Sequence, residues 1–501
     1  MAQLAKRLSH NNTIYVLGGV VLGGMILVTP FTPLLILALV GLTFGSIVVW
    51  FLVRRPWTVF GLYLFLLPPH IIVMSLLLVW VGLPANAVKA VAAWKELTLA
   101  LLLASALLQL IRRGRVVATV ADGVVVLFLG YVGVFAGLEI LERPDPLIFF
   151  YALRDMLLPI MLYFVGRSML LSDTTAQHVF RWVLIAALLL SIIGIIERFF
   201  VPLEWHVLLG IPRYYREVQN VFFPDFLLGL PTNYWTSGNS GALRRAVSVY
   251  ASSQLFALSY LFFLPICLYG VITPKLAEHR LAWVAFLVAL VGVLITLTRF
   301  TIVVVVLLLL LLAVLGNQRS RLLVFILALL GVIGFISVLI VFEDVRLLLI
   351  NTITFQDHSS SNRLIIWQAT LDYIFKQPFG YGLGAAGLTA WRYGGGVVAI
   401  EGQYSAIGVV LGLVGLLIYI GLLATVSMYL LRAVYRIQAM YQRGLCFALA
   451  LTVFGIAINS VTTEWHNNIG LTYPTWWLIG ACVGYAARQE WAKRKADVQC
   501  G

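Results

Sequence analysis

The chain has 501 residues, of which 62% are hydrophobic and 11% are charged. A soluble core does not need so large an apolar fraction, whereas a polytopic membrane protein does. Its formal net charge of +14 does not indicate nucleic-acid binding, because basic residues concentrate in the cytoplasmic connections of membrane proteins. We therefore predict an all-α bundle of transmembrane helices, with residues 1–501 forming a single integral membrane domain.

Apolar runs long enough to cross a bilayer recur along the whole chain. In the first half they lie near 14–29, 34–53, 57–80, 90–111, 120–141 and 147–166. In the second half they lie near 178–199, 247–272, 281–297, 300–315, 322–342, 403–431, 445–463 and 469–487. These runs predict about fourteen spans, and an even number places both termini on the same side.

Basic residues choose that side, since they fall in alternate connections and in the tail from Arg488 to Lys495. By the positive-inside rule these connections and both termini face the cytoplasm. Two large loops, 198–246 and 343–403, then lie outside. We expect the second one to contain the reaction site.

Within the loop 343–403, the residues from Arg363 to Lys376 predict an amphipathic helix, with Ser361 or Asn362 as its N-cap. The expected buried face consists of Leu364, Trp367, Leu371, Ile374 and Phe375. Arg363 would lie in the first turn, where the helix macrodipole disfavours a cation and a bound diphosphate would relieve the conflict. The alternative is a surface arginine paired with Asp357 or Asp372.

Aromatic residues mix with charged ones in both loops, as at Trp205, Tyr214, Tyr215 and Trp391. Aromatic faces stack on sugar rings while charged groups bond the hydroxyls, so these four residues are candidate glycan-binding positions. An aromatic belt at the membrane interface gives the same pattern.

Arg299 is the only charged residue in the run from Leu281 to Gly316. A helix of that length would measure about 50 Å, too long for one span and short for two, so two short spans meeting at Thr298 and Arg299 fit best. An arginine near hydrocarbon costs about 2.5–3.5 kcal/mol and is usually functional or paired. Arg154 invites the same argument, but Asp155 offers it a local partner.

Four stretches follow one another in a recognisable order: LTLTRF, SNRLIIWQATLDYIFKQPFGYGLG, EGQYSAIGVVLGLVGLLIYIG and TWWLIG. This series resembles the O-antigen ligase and O-antigen polymerase superfamily of bacterial envelopes. The resemblance is clearest between Ala242 and Gly480.

The resemblance implies transfer of a saccharide from an undecaprenyl diphosphate carrier at the outer face of the inner membrane, without a metal or another cofactor. By the same resemblance, Arg299 and Arg363 match the family's functional arginines, and Arg245 and Arg154 are further candidates. Ligases of the family usually carry a His just before the span that follows the reaction loop. Glu401 stands there in this sequence and is the candidate general base, with His358 and His466 as alternatives.

This departure favours a polymerase of exopolysaccharide or O-antigen units over a ligase acting on lipid A core or another acceptor. A flippase for lipid-linked saccharides and a purely structural scaffold are the alternatives from other classes. The expected partners are the lipid-linked glycan, an acceptor glycan or lipid, membrane lipids and other polysaccharide-assembly proteins, but no nucleic acid.

Overall fold

The computed structural model describes residues 54–113, 117–140, 146–236, 243–315, 358–393 and 396–500, together with isolated positions between 318 and 354. Over these residues the chain is helical, and an isolated antiparallel bridge joins Trp235 to Arg244. The predicted spans near 14–29 and 34–53 lie outside the described residues. The span near 322–342 does too, apart from isolated positions.

Seventeen α-helices are described in these parts of the chain. In chain order they are α1 Pro56–Leu66, α2 His70–Val79, α3 Ala85–Ala92, α4 Trp94–Arg113, α5 Val120–Glu139, α6 Pro146–Ser168, α7 Asp173–Phe200, α8 Glu204–Leu208, α9 Ile211–Glu217, α10 Ser253–Ile272, α11 His279–Ile295, α12 Arg299–Leu315, α13 His358–Lys376, α14 Gly387–Tyr393, α15 Gln403–Arg436, α16 Met440–Asn459 and α17 Ile469–Cys500.

Seven helical segments of the described chain are long and apolar enough to cross a membrane. They are Ala85–Ile111, Val120–Glu139, Ile148–Ser168, Asp173–Phe200, Ser253–Ile272, Gln403–Arg436 and Met440–Asn459. The pair α1 and α2, bent by 69°, would be an eighth, while α11 and α12 are shorter apolar helices. An all-helical membrane protein is confirmed, whereas the total of about fourteen spans stays a prediction.

The long apolar run around Arg299 is divided where the sequence predicts. Helix α11 ends at Ile295 and α12 begins at Arg299. Between them, Leu297 has a left-handed backbone with φ of 51°, a conformation that interrupts a right-handed helix. Arg299 is therefore the first residue of α12.

The predicted span at 403–431 is interrupted at Gly412, whose φ of 73° and ψ of −175° are not helical. The segment after α13 binds to this interruption: the Tyr381 N–H donates to the Val409 carbonyl at 2.8 Å, and the Leu413 N–H donates to the Pro378 carbonyl at 2.8 Å. Because buried backbone groups must be paired, these bonds stabilise the break. They also attach the segment after α13 to α15.

Helices α6 and α17 pack closely at the centre of the bundle. A Cβ added at Gly166 or Gly480 would collide with the backbone of the facing helix, so small residues allow this approach. Trp476 and Trp477 of α17 are fully buried there. The helix continues to Cys500, beyond the predicted end at 487.

The prediction for α13 is wrong in two respects. The helix begins at His358, so Arg363 lies in its second turn and the argument from the macrodipole does not apply. Leu364, Leu371 and Phe375 are exposed, whereas Ile374 is buried. The buried side of the helix is therefore narrower than the predicted face.

Candidate functional site

Three of the four predicted arginines come together from separate segments. Arg245 precedes α10, Arg299 begins α12, and Arg363 lies in α13. Burial, followed by the neighbouring Arg299 and Arg363 guanidinium groups, lowers the pKa of Arg245 to about 10. Arg245 still carries its charge at neutral pH. We call Arg245, Arg299 and Arg363 the arginine cluster.

The break between α11 and α12 holds Arg245 in place. Its Nε donates to the Thr296 carbonyl at 2.8 Å, and its Nη2 donates to the Thr298 hydroxyl. The Arg245 N–H donates to the Tyr234 carbonyl at 2.8 Å. One interruption in the apolar run therefore positions both Arg245 and Arg299.

Glu197, at the end of α7, fixes the chain beside Arg245. Its Oε1 accepts from Arg244 Nη2 at 2.6 Å, and its Oε2 accepts from the backbone N–H groups of Val247 at 3.0 Å and Ser248 at 3.3 Å. Glu197 is buried, and a buried carboxylate needs such partners. The sequence pattern did not single out this residue.

Arg363 pairs with Glu401, and not with Asp372 as the alternative supposed; Asp357 lies outside the described residues. Arg363 Nε donates to Glu401 Oε2 at 2.8 Å, and each side chain is 30% exposed. Burial raises the pKa of Glu401, although the Arg363 charge and hydrogen bond oppose that shift.

Arg154 stands apart from this cluster and contacts carboxylates. It donates to Asp155 Oδ1 from Nε at 2.9 Å and from Nη2 at 2.7 Å, and Glu96 Oε1 lies 3.5 Å from Nη1. Its guanidinium also lies 4.9 Å from the ring centroid of Tyr151. The local partner considered at the sequence level is therefore the one observed, and we do not include Arg154 in a diphosphate site.

The candidate glycan-binding residues divide between three places. Tyr214 and Tyr215 line a cavity of about 330 Å³ together with Arg154 and His466. We call this the tyrosine cavity. Trp391 lines a separate cavity of about 580 Å³, and Trp205 is exposed on α8.

The surroundings of His466 indicate a structural role. Its Nε2 bonds the Tyr419 hydroxyl at 3.1 Å, and its ring packs edge-on against Trp465 at 4.9 Å between centroids. Burial lowers the pKa of His466 to about 3, so the imidazole is neutral and weakly basic. The backbone N–H of His466 donates to Gln403 Oε1 at 3.1 Å, which joins this segment to the start of α15.

Glu464 is a candidate residue that the sequence reasoning missed. It lines the same cavity as Trp391, and its Oε2 accepts from the Leu388 N–H at 3.2 Å and from Asn467 Nδ2 at 3.0 Å. Burial raises the pKa of Glu464 to about 7. The sequence offered one signal for this residue: it is a carboxylate between two apolar runs, two residues before His466.

The helices and the charged cluster at a helix break define an integral membrane protein with a polar site at helix ends. Residues 284–420 match the family model described as O-antigen ligase. Over these residues the chain is similar to the O-antigen ligase and polymerase superfamily, and the match indicates glycan transfer of that type. The matched part contains Arg299, Arg363 and Glu401, whereas Arg245, Tyr214 and Tyr215 lie before it. No curated protein sequence matches the chain.

Proposed function

We propose that this protein is a glycan polymerase of the bacterial inner membrane. It transfers a saccharide from an undecaprenyl diphosphate carrier to the hydroxyl of an acceptor sugar, on the outer side. The observation that carries the proposal is the convergence of Arg245, Arg299 and Arg363 beside Glu401.

The arginine cluster suits a diphosphate. Burial is the main cause of the lowered pKa of Arg245, and the Arg299 and Arg363 charges add to it; a bound anion would offset the repulsion between these three charges. Arg299 also lies at the N-terminus of α12, where the helix dipole disfavours a cation and favours an anion. Guanidinium groups bind phosphate oxygens in pairs.

Glu401 is the proposed general base. In the transfer step the acceptor oxygen bonds to the anomeric carbon, and the bond from that carbon to the diphosphate oxygen breaks. The electron pair leaves with the carrier diphosphate, where the arginine cluster stabilises the charge, and the acceptor proton moves to the Glu401 carboxylate. Binding of diphosphate by Arg363 would weaken its pairing with Glu401 and free the carboxylate for the proton.

A ligase is the second candidate, favoured by the description of the family model that matches residues 284–420. Glu401 at the position where family ligases usually carry a His favours the polymerase. A flippase is a third possibility from a different class. Moving a lipid-linked saccharide between leaflets needs no general base, so this function would leave Glu401 without a role.

Purified protein in detergent or vesicles, supplied with lipid-linked repeat units from the producing cells, separates these functions. A ladder of lengthened lipid-linked glycan is expected. Glycan attached to an added lipid A core would indicate a ligase, and movement between leaflets without new bonds would indicate a flippase.

The proposed sidedness has its own test. Gln368 is exposed on α13, so Gln368→Cys should react with an impermeant maleimide in intact spheroplasts, while the native Cys500 in the predicted cytoplasmic tail should not. Labelling of the variant only after lysis would contradict the outer location of the reaction site.

A further inference from the structure

The tyrosine cavity has no role in the diphosphate chemistry, yet it is built from charged and aromatic groups. It lies between α2, α4, α6, α9 and α14, and the segment 466–470 closes one side. Tyrosines line it, namely Tyr151, Tyr214, Tyr215, Tyr250, Tyr393 and Tyr473. The rings of Tyr151 and Tyr393 stack at 5.3 Å with an angle of 4° between their planes.

Unsatisfied polar atoms gather around this cavity. Within the described part of the chain, five lining residues carry a buried side-chain atom without a hydrogen-bond partner. These atoms are His70 Nδ1, Glu96 Oε2, the Tyr250 hydroxyl, Arg392 Nε and His466 Nδ1. Buried polar atoms are nearly always hydrogen-bonded, and leaving one unpaired costs about 1–3 kcal/mol. Both donors and acceptors are among these atoms, so a matching ligand would have to both donate and accept hydrogen bonds.

Two of the four cations that line the cavity, Lys95 and Arg154, are paired with carboxylates, whereas Lys89 and Arg392 give the lining an excess of positive charge. Lys95 Nζ lies 3.2 Å from Glu96 Oε1, and Arg154 pairs with Asp155. The second oxygen of Asp155 accepts from the Thr389 hydroxyl at 2.8 Å, which connects α6 to α14. A diphosphate in this cavity would be repelled by the carboxylates of Glu96 and Asp155. Sugar hydroxyls, by contrast, can donate hydrogen bonds to carboxylates.

The cavity is also connected to the proposed transfer site. His466 lines it, and the His466 backbone binds Gln403, two residues after Glu401. This hydrogen bond joins the wall of the cavity to the start of α15.

We propose that the tyrosine cavity is a saccharide subsite that binds a hydroxyl-rich sugar ring between tyrosines, with Arg392 and Glu96 as its polar contacts. This proposal rests on the proposed transferase function and adds where the glycan is held. The ring belongs either to the acceptor glycan or to the glycan of the donor.

The test uses Arg392→Gln, Arg392→Lys and the matched control Arg213→Gln. Arg213 is an exposed arginine on α9, the helix that carries Tyr214 and Tyr215, and it pairs with Glu217 at the surface. The two substrates are the lipid-linked donor and a soluble oligosaccharide that is released from it by mild acid. The KM of each is measured while the other is present at a saturating concentration. Arg392→Gln should raise one KM about tenfold or more, with kcat changed less. Arg392→Lys should rescue only partly, because it keeps the charge but loses the fixed Nε donor.

The substrate whose KM rises identifies the source of the ring: a rise for the soluble oligosaccharide indicates the acceptor, and a rise for the donor indicates the donor glycan. Unchanged KM values in both Arg392 variants would overturn the subsite.

A second measurement does not depend on turnover. The soluble oligosaccharide should raise the thermal midpoint of the wild type and of Arg213→Gln, but not that of Arg392→Gln. The proposal is wrong if the oligosaccharide raises the thermal midpoint of all three proteins equally. It is also wrong if Arg392→Gln is still stabilised by the oligosaccharide but is no longer stabilised by inorganic diphosphate. If the oligosaccharide still binds in this way but no polymer forms, the proposed function is wrong and the saccharide subsite is not.

Discussion

The arginine cluster and Arg154 have different surroundings. Arg245, Arg299 and Arg363 lie close enough to lower the pKa of Arg245, and Glu401 pairs with Arg363. Arg154, by contrast, shares its surroundings with Lys95, Glu96 and Asp155.

This difference teaches that the residue type alone does not define a diphosphate site. A cluster of like charges has electrostatic energy to gain from an anion. A balanced set of opposite charges has already gained it and instead presents fixed hydrogen-bond donors and acceptors. The predictions below test this distinction in the order of expected effect.

The largest effect is expected for Glu401→Gln. The variant keeps the size and a hydrogen bond to Arg363 but cannot accept the proton, so turnover per folded protein should fall by about two to four orders of magnitude with little change in KM. Rates are measured against pH. In the wild type, activity should fall as the pH drops through the raised pKa of Glu401, and the variant should lack this limb. An unchanged rate and acid limb would remove Glu401 from the chemistry and make Glu464 the next candidate.

Removing a member of the arginine cluster should reduce turnover by about two to three orders of magnitude. Arg299→Ala and Arg363→Ala are compared with Arg213→Ala, which should remain active, and Arg→Lys should rescue only partly because lysine lacks the planar fork. Membrane accumulation is measured alongside activity. Near-normal activity of Arg363→Ala would mean that its guanidinium only pairs with Glu401.

The Arg363 variant also carries a pH signature. The Arg363 charge lowers the pKa of Glu401 against the effect of burial, so its loss should raise that pKa further. The acid limb of the residual activity in Arg363→Ala should therefore move to higher pH. If the acid limb instead moves to lower pH, the Arg363 charge does not lower the pKa of Glu401.

Arg154→Ala should affect stability more than chemistry. It removes the cation from Asp155 and leaves Glu96 with Lys95 alone, and because Arg154 is 34% exposed we expect a loss of about 1–3 kcal/mol, below that for a fully buried pair. Thermal unfolding in detergent measures it. A loss of activity as large as that of Arg299→Ala, with unchanged thermal stability, would place Arg154 with the arginine cluster.

The smallest effect concerns Glu464. Its pKa in the folded protein, about 7, lies above the ordinary value of 4.5, so the folded state holds a proton that the unfolded state releases. Stability should fall as the pH rises from about 4.5 to about 7 and then level off. Glu464→Gln should lose this dependence, and Glu217→Gln, at the surface, should keep it. Parallel curves for the wild type and Glu464→Gln would show that Glu464 is not buried in solution.

The sequence by itself determined the class of the protein, because apolar runs and basic connections are local properties of the chain. It also located the break before Arg299, since a run of about 50 Å fits neither one span nor two. The order of its motifs indicated a resemblance to a family, and residues 284–420 match the model of that family.

Only the tertiary structure decided which charges meet. Arg245 binds the Thr296 carbonyl at the break that precedes Arg299, and Arg363 pairs with Glu401 across 38 residues of sequence. Glu96 reaches Arg154 across 58 residues of sequence, and Arg392 and Glu464 acquire their surroundings from distant loops. Electrostatic energy depends on separation in space, and no periodicity in a sequence encodes the distance between two segments that pack together.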